Sequence, residues 1–321
     1  MRFSDARVER ALAAAACLVL LLIAAMIVFV FAKAWPSFAH NGLSWFGGGN
    51  DVDRQLEDII NGPANPDAYI YEIGVFPLLW GTALTTAGAV IIGMTFSLFA
   101  AIFIVEFAPP RLNRVLEPVV RLLAAVPSVI YGLIGVLVLV PFVLDHLTSP
   151  ERKESVAFVV QLTGASLLVA VVILTVMIVP IMIAIIVDAL RAVPRSWQEG
   201  ASALGVNRWR VMWTICVRTA RPAIVAAAVL ATARALGEAI MLSMVSGSKG
   251  FAPNPFDGLT FLLEPTRPLA ATIVEYQESS NLEPVANTLY AFAAILLISS
   301  MALSLGGYMA KQPMRKYGVR P

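Results

Sequence analysis

Charge is what this sequence has least of: 14% of its 321 residues are Asp, Glu, Lys or Arg, against 59% that are hydrophobic. Soluble globular domains carry about a quarter charged residues, so a water-soluble enzyme is excluded and the composition is that of a polytopic membrane protein. The two cysteines, Cys17 and Cys216, offer no disulfide framework and read as small packing residues near cytoplasmic helix ends. Histidine is equally scarce. His40 and His146 lie far apart without cysteine or paired carboxylates at ligand spacing, so they read as solvated loop residues and not as a metal site. No G-x-x-x-x-G-K-[ST] sequence occurs, and Gly247-Ser248-Lys249-Gly250 holds only a fragment of one. The chain therefore binds no nucleotide cofactor of its own, and no catalytic acid–base constellation supports a membrane enzyme.

Long apolar runs are what the chain has instead. Six of them, at 11–32, 77–105, 115–144, 156–187, 223–246 and 285–310, match the roughly 20 residues that cross a bilayer as helix. The first exceeds the 7 to 15 residues of a cleaved signal core and reads as an uncleaved helix. In the third, Glu117 and Arg121 form an i,i+4 pair in the favourable order, and Pro127 divides a short interfacial helix from the span proper. The fourth is longer than one crossing needs and must tilt, or bend at Pro180. Thr82, Thr85 and Thr86 either back-bond their helix or face a polar pore.

The connections at 33–76 and 247–284 are rich in turn formers and read as exposed loops, with a short charged loop at 145–155. The chain thus divides into a first helix with its exterior loop (1–76), a five-helix core (77–310) carrying a polar loop at 188–222, and a basic tail (311–321). Of the 23 Lys and Arg residues, 16 fall in the N-terminal segment, 106–121, 188–222 and the tail; six fall in the alternate connections. That asymmetry places both termini and the 188–222 loop in the cytoplasm.

One basic residue belongs to neither side. Arg234 sits near the middle of the fifth apolar run, with Glu238 one turn further on and Gly237 between them. A charge at bilayer depth costs about 2.5 to 3.5 kcal/mol on insertion scales and marks a pathway more often than a packing contact. A guanidinium offers a planar fork of donors that can replace water around an oxyanion. Glu238 can hold that fork when no anion is present, and Gly237 leaves room for close approach. The competing reading, an ion pair that locks two helices, has the less favourable i,i+4 order. Ser128 and Tyr131, beside Pro127, are weaker candidates for the path, near its exterior mouth.

The 188–222 loop has helical character, with Leu204, Val211 and Ile215 at helical intervals among Trp and Arg side chains. Spacing alone leaves open an interfacial helix on anionic lipid or a docking helix for a cytoplasmic partner. Glu199-Gly200-Ala201, followed by Gly205 and by Ile215 and Val217, resembles the EAA loop of ATP-binding-cassette importer permeases. Gly200 replaces an Ala of that pattern, and Arg218 stands where a proline is usual. The ARALGEA stretch ending at Ala239, PSVIYG ending at Gly132 and FPLLWGTALTT from Phe76 resemble the PstC-type permeases of high-affinity phosphate importers.

The resemblance implies an all-α MetI-like permease with six spans in a bacterial cell membrane. Glu199, Gly200, Ala201 and Gly205 would form the helix that couples to an ATPase, and Arg234 and Glu238 would serve phosphate passage. It implies a PstA-type permease as mate, two ATP-binding-cassette ATPase subunits holding ATP and magnesium, and an extracytoplasmic phosphate-binding protein. Membrane lipid is the surrounding partner, and nucleic acid is not one. Two other functions remain open from the residues: import of sulfate or molybdate, and an ATP-independent anion transporter or channel.

Overall fold

A backbone surrounded by hydrocarbon has no water to satisfy its N–H and C=O groups, so each apolar run closes its hydrogen bonds within itself as a helix. The computed structural model, which describes residues 5–47, 51–63, 65–148 and 162–312, is accordingly helical nearly throughout. In chain order the helices are α1 (Asp5–Asn41), α2 (Val52–Ile60), α3 (Phe76–Phe107), α4 (Pro110–Ala124), α5 (Ser128–Leu147), α6 (Leu167–Arg191), α7 (Arg195–Ala203), α8 (Arg208–Leu236), α9 (Ile240–Val245), α10 (Leu269–Glu275) and α11 (Glu283–Lys311). Six of these, α1, α3, α5, α6, α8 and α11, are long and apolar enough to cross a membrane.

The bundle is organised around α6. It is the most enclosed span, and α3, α5 and α8 all pack on it. Small residues let the neighbours come close: a Cβ on Gly88 of α3 would sit 3.1 Å from Val171, and one on Gly93 would touch Ile178. Helix α1 packs against α11 only through its far half, where Val30, Ala34 and Phe38 join Phe292 and Ala294. Cys216 is buried in the core as expected, whereas Cys17 lies exposed on the near half of α1.

The two ends of the bundle differ in kind. At one, the basic end, α4 and α7 lie beside the start of α8 and the ends of α3 and α6. Exposed ion pairs join them: Glu117 with Arg191, Arg121 with Asp188 at 3.8 Å, and Arg208 with Glu106 at 3.7 Å. Glu117 therefore pairs across to α6 and not with Arg121 on its own helix. A hydrogen bond from Arg191, 3.0 Å from Oε2, holds the Glu117 carboxyl below its usual range.

The opposite, loop end corrects the expectation of exposed loops. Helix α1 runs on to Asn41, and Trp45, Val52, Leu56, Ile59, Ile73 and Val75 are buried in a cap over α11 and the start of α3. Val52, Leu56 and Ile59 recur at i, i+4 and i+7, one apolar stripe on a helix that is otherwise polar. Five polar residues around the three buried ones hid that stripe in the composition. Likewise Leu269, Ala270, Ala271 and Thr272 of α10 are buried within what reads as a proline-broken loop.

Two boundaries also shift. The start of the fourth apolar run, with residues 149–161, lies outside the described residues. Residues 162–166 are not helical, and α6 begins at Leu167 and continues through Pro180. Gly164 turns the chain there at φ +87°, where a Cβ would overlap the Val140 carbonyl at 2.4 Å. The fifth span starts at Arg208, 15 residues before the apolar run, because arginines at a membrane surface reach water while their stems stay helical. The glycines at 48–49 and the tail from 313 lie outside the described residues.

Candidate functional site

Two interruptions in the spans meet near the middle of the bundle. The first ends α8. Ala227, Ala231 and Ala235, four residues apart, are buried and let α8 pack closely on its neighbours. The opposite side carries Leu230, Arg234 and Gly237, all exposed. Gly237 closes the helix by donating to the Ala233 carbonyl at 3.3 Å, and the chain restarts as α9 three residues later.

Arg234 thus stands in the last turn of α8, where the exposed carbonyls favour a cation. Among the described residues it has neither an ion-pair nor a hydrogen-bond partner. Glu238 is not one turn along the same helix, as the apolar run suggested, but in the break. Its Oε1 accepts from the Met241 amide at 3.3 Å and so closes the first turn of α9. An Arg234–Glu238 ion pair does not form. The glycine between them ends the helix and turns the carboxylate toward the next one.

The second interruption precedes α5. Pro127 has no N–H to give the Leu123 carbonyl, and the Tyr131 hydroxyl donates to that oxygen instead, at 2.9 Å. Tyr131 is therefore buried, one turn into α5 and bonded back to α4. Ser128, half-buried, starts α5. The two breaks are joined by close packing of α5 on α9: a Cβ on Gly132 would lie 3.2 Å from the Met241 Cα, and one on Gly135 would overlap Val245 at 2.6 Å. The structure thus sets Arg234, Glu238, Ser128 and Tyr131 at two joined helix breaks, with Arg234 exposed, Ser128 and Glu238 partly buried and Tyr131 buried.

At the basic end, α7 carries Glu199, Gly200 and Ala201 and has no buried residue. It ends in a Schellman turn: Val206 donates to Ala201 at 3.2 Å and Gly205 to Ser202 at 3.0 Å. Gly205 has φ +80°, the left-handed region that such a turn requires. Asn207 then accepts from the Arg210 amide at 2.8 Å and starts α8. Leu204, Trp197 and Trp209 stay exposed around this hairpin, with one side of the Trp209 ring against Phe107 and Trp213. No His, Cys, Asp and Glu among the described residues cluster as a metal site would.

A model of binding-protein-dependent transport system inner membrane components matches residues 93–310, from the middle of α3 through α11. The chain belongs to that family. This permease is 35% identical to a probable ABC transporter permease protein, YqgH, of Bacillus subtilis, over 75% of its own length and 72% of the relative's. It is 30% identical to the phosphate transport system permease protein PstC of Pasteurella multocida, over 94% and 90%. To PstC 1 of Mycobacterium tuberculosis it is 32% identical over 88% and 85%.

Among solved structures, the permease resembles a chain of the inward-facing MetNI methionine ABC transporter, with a TM-score of 0.55, 17% identity, and coverage of 75% of this chain and 95% of that one. A chain of a bacterial alginate ABC transporter gives 0.54 at 14% identity and 99% of both. At these identities the likeness establishes the fold, a MetI-like permease. The permease is thus an all-α, multi-pass inner membrane protein, and as a component of a binding-protein-dependent system it transports rather than catalyses. The cap formed by α2 and the far half of α1 lies outside the family match.

Sequence reading overlooked Arg267. It is 3% exposed, paired with Asp53 of α2 and with Glu275 of α10 at 3.3 Å, and stacked on the Tyr276 ring at 5.2 Å. Nothing beside it distinguishes it from a loop arginine, because Asp53 is 214 residues away and Glu275 reaches it only once α10 has formed.

Proposed function

We propose that this chain is the permease subunit of an ATP-driven phosphate importer, forming half of the translocation path. One observation carries the proposal: Arg234 stands unpaired and exposed at a helix break inside the bundle. An intramembrane guanidinium without a counter-ion is costly unless a ligand supplies one. Phosphate does so through two oxygens matched to the fork. Ser128 and Tyr131 flank the cation, and Glu238 keeps the break open by holding α9 instead of the arginine. Because the carboxylate is engaged there, the fork stays free for successive anions, and binding weak enough to release is what passage needs. The names of the PstC relatives, together with Arg234, favour phosphate over other oxyanions.

The rest of the assembly follows from the same reading. A PstA-type permease completes the path, two ATPase subunits bind ATP and magnesium, and a phosphate-binding protein docks outside. Both termini and α7 face the cytoplasm, since the basic end carries most of the positive charge. Glu199, Gly200, Ala201 and Gly205 shape the hairpin whose exposed Leu204, Trp197 and Trp209 seat on an ATPase. Nucleotide-driven closure of the ATPases moves α8, which runs from that hairpin directly to Arg234. The test is uptake of labelled phosphate by the complex in vesicles. Uptake should need ATP and yield to excess phosphate but not to sulfate or molybdate. Equal competition by sulfate, or uptake without the ATPases, would refute it.

A further inference from the structure

Helix α4 and the groove beside it point to a lipid. Leu112, Val115, Val119, Leu122 and Leu123 lie exposed along one side of α4, and Arg111, Arg114 and Arg121 lie exposed along the adjoining side. Such a helix rests in a membrane surface, apolar side inward and arginines among headgroups. Under it opens a groove of about 550 Å³ between α3, α4 and α6, walled by Phe96, Val120, Leu123, Val176, Val179 and Ile183. Its one hydroxyl, on Thr175, is spent on the Val171 carbonyl at 2.7 Å, so the groove offers nothing to water. Along α6 it runs from Val172 to Ile183, roughly 16 Å at 1.5 Å per residue. One leaflet of a bilayer core is about 15 Å thick.

We propose that this groove holds an acyl chain of an anionic phospholipid from the leaflet at the basic end, with its headgroup on Arg111, Arg114 and Arg121. The placement in the cytoplasmic leaflet rests on the orientation proposed above; the site itself does not. Charge complementarity decides for an anionic headgroup. Of the acids facing α4, Glu117 is held by Arg191, and Asp188 meets Arg121 only at 3.8 Å with both side chains 66% exposed. Arg121 and Arg191 balance those two acids, and the exposed Arg111 and Arg114 leave this side of α4 with a positive excess. Phe96, Leu123 and Val176 stay exposed along the groove, so it opens sideways to the surrounding hydrocarbon. Because α4 leads into the Pro127 break and Tyr131 bonds back to Leu123 of α4, a lipid there steadies the wall of the Arg234 junction.

The test uses the whole complex, purified and placed in phosphatidylcholine nanodiscs with or without phosphatidylglycerol. Retained lipid is counted by mass spectrometry after detergent washing. The wild-type complex should keep phosphatidylglycerol in preference to phosphatidylcholine. Each of Arg111→Gln and Arg114→Gln should lower that retention by about fivefold, from roughly 1 kcal/mol per basic residue at an anionic surface. Val176→Trp, which fills the groove, should abolish it while the subunits still co-elute. A photoreactive side chain at position 176 should yield a lipid adduct. An adduct to the second permease chain, or equal retention of both lipids by the wild type, overturns the proposal. Loss of phosphate selectivity in the uptake assay would not touch it, so the two readings fail separately.

Discussion

The loop end and the basic end of this permease are both held by charge, but in opposite ways. At the loop end one arginine, Arg267, is buried between Asp53 and Glu275 and ties two segments more than 200 residues apart. At the basic end Arg121, Arg191 and Arg208 pair with acids at the surface. A buried pair is costly to break because the survivor is left uncompensated, whereas an exposed pair contributes at most about 1 kcal/mol. The loop end is therefore built as one piece, and the basic end as pieces that can shift. Arg234 lies between them and belongs to neither scheme: it has the access of a surface arginine and the depth of an internal one. A rigid loop end, a free cation and a yielding basic end suit a protein moved from its basic end.

That contrast can be broken most severely at Arg234. Arg234→Ala should reduce uptake to background while assembly and unfolding temperature stay unchanged. Arg234→Lys should recover only a small part, since an ammonium lacks the fork. Arg267→Met comes next, with the defect in the other column. It should destabilise the chain by about 3 kcal/mol or more, seen as a lowered unfolding midpoint in detergent and poor recovery from membranes. If Arg267→Met left stability intact, the rigid loop end would be wrong.

Smaller effects sharpen the basic end. Gly205→Ala places a side chain at φ +80° with nothing within 4 Å of its Cβ, so its cost is purely conformational, about 1 kcal/mol. It should lower ATP-dependent uptake several-fold by loosening the α7 turn, with ATPase activity losing its dependence on the binding protein. Glu117→Gln should matter least. The Arg191 hydrogen bond holds the Glu117 carboxyl below its ordinary value of 4.5, so its contribution is complete above that pH and fades as pH falls through the lowered value. The variant should be less stable than wild type by no more than about 1 kcal/mol near neutrality, and the two should converge in acid.

Much of the fold was legible without coordinates, because spans announce themselves by length and hydropathy and the break at Pro127 by proline. The helical hairpin at Glu199 was legible too, and the Schellman turn explains why a glycine follows Ala201 at that distance. Helix starts were read less well. Arginines at a membrane surface do not interrupt a helix, and so α8 begins well before its apolar run. The Glu238 role was misjudged for a related reason: spacing counts residues along a helix and does not register that Gly237 ends it. The cap at the loop end escaped notice since a short amphipathic helix with three buried residues barely alters composition.

The sequence by itself determined that this chain crosses a membrane six times, that most of its positive charge lies at one end, and that a single arginine is stranded between. Those properties are sums over local residues, and bilayer physics acts on each run separately. Only the tertiary structure decided which arginine is satisfied and which is free. Pairing depends on residues as distant as Asp53 and Arg267, or on a carboxylate turned away by a helix end, and neither distance nor direction is written in the order of the chain.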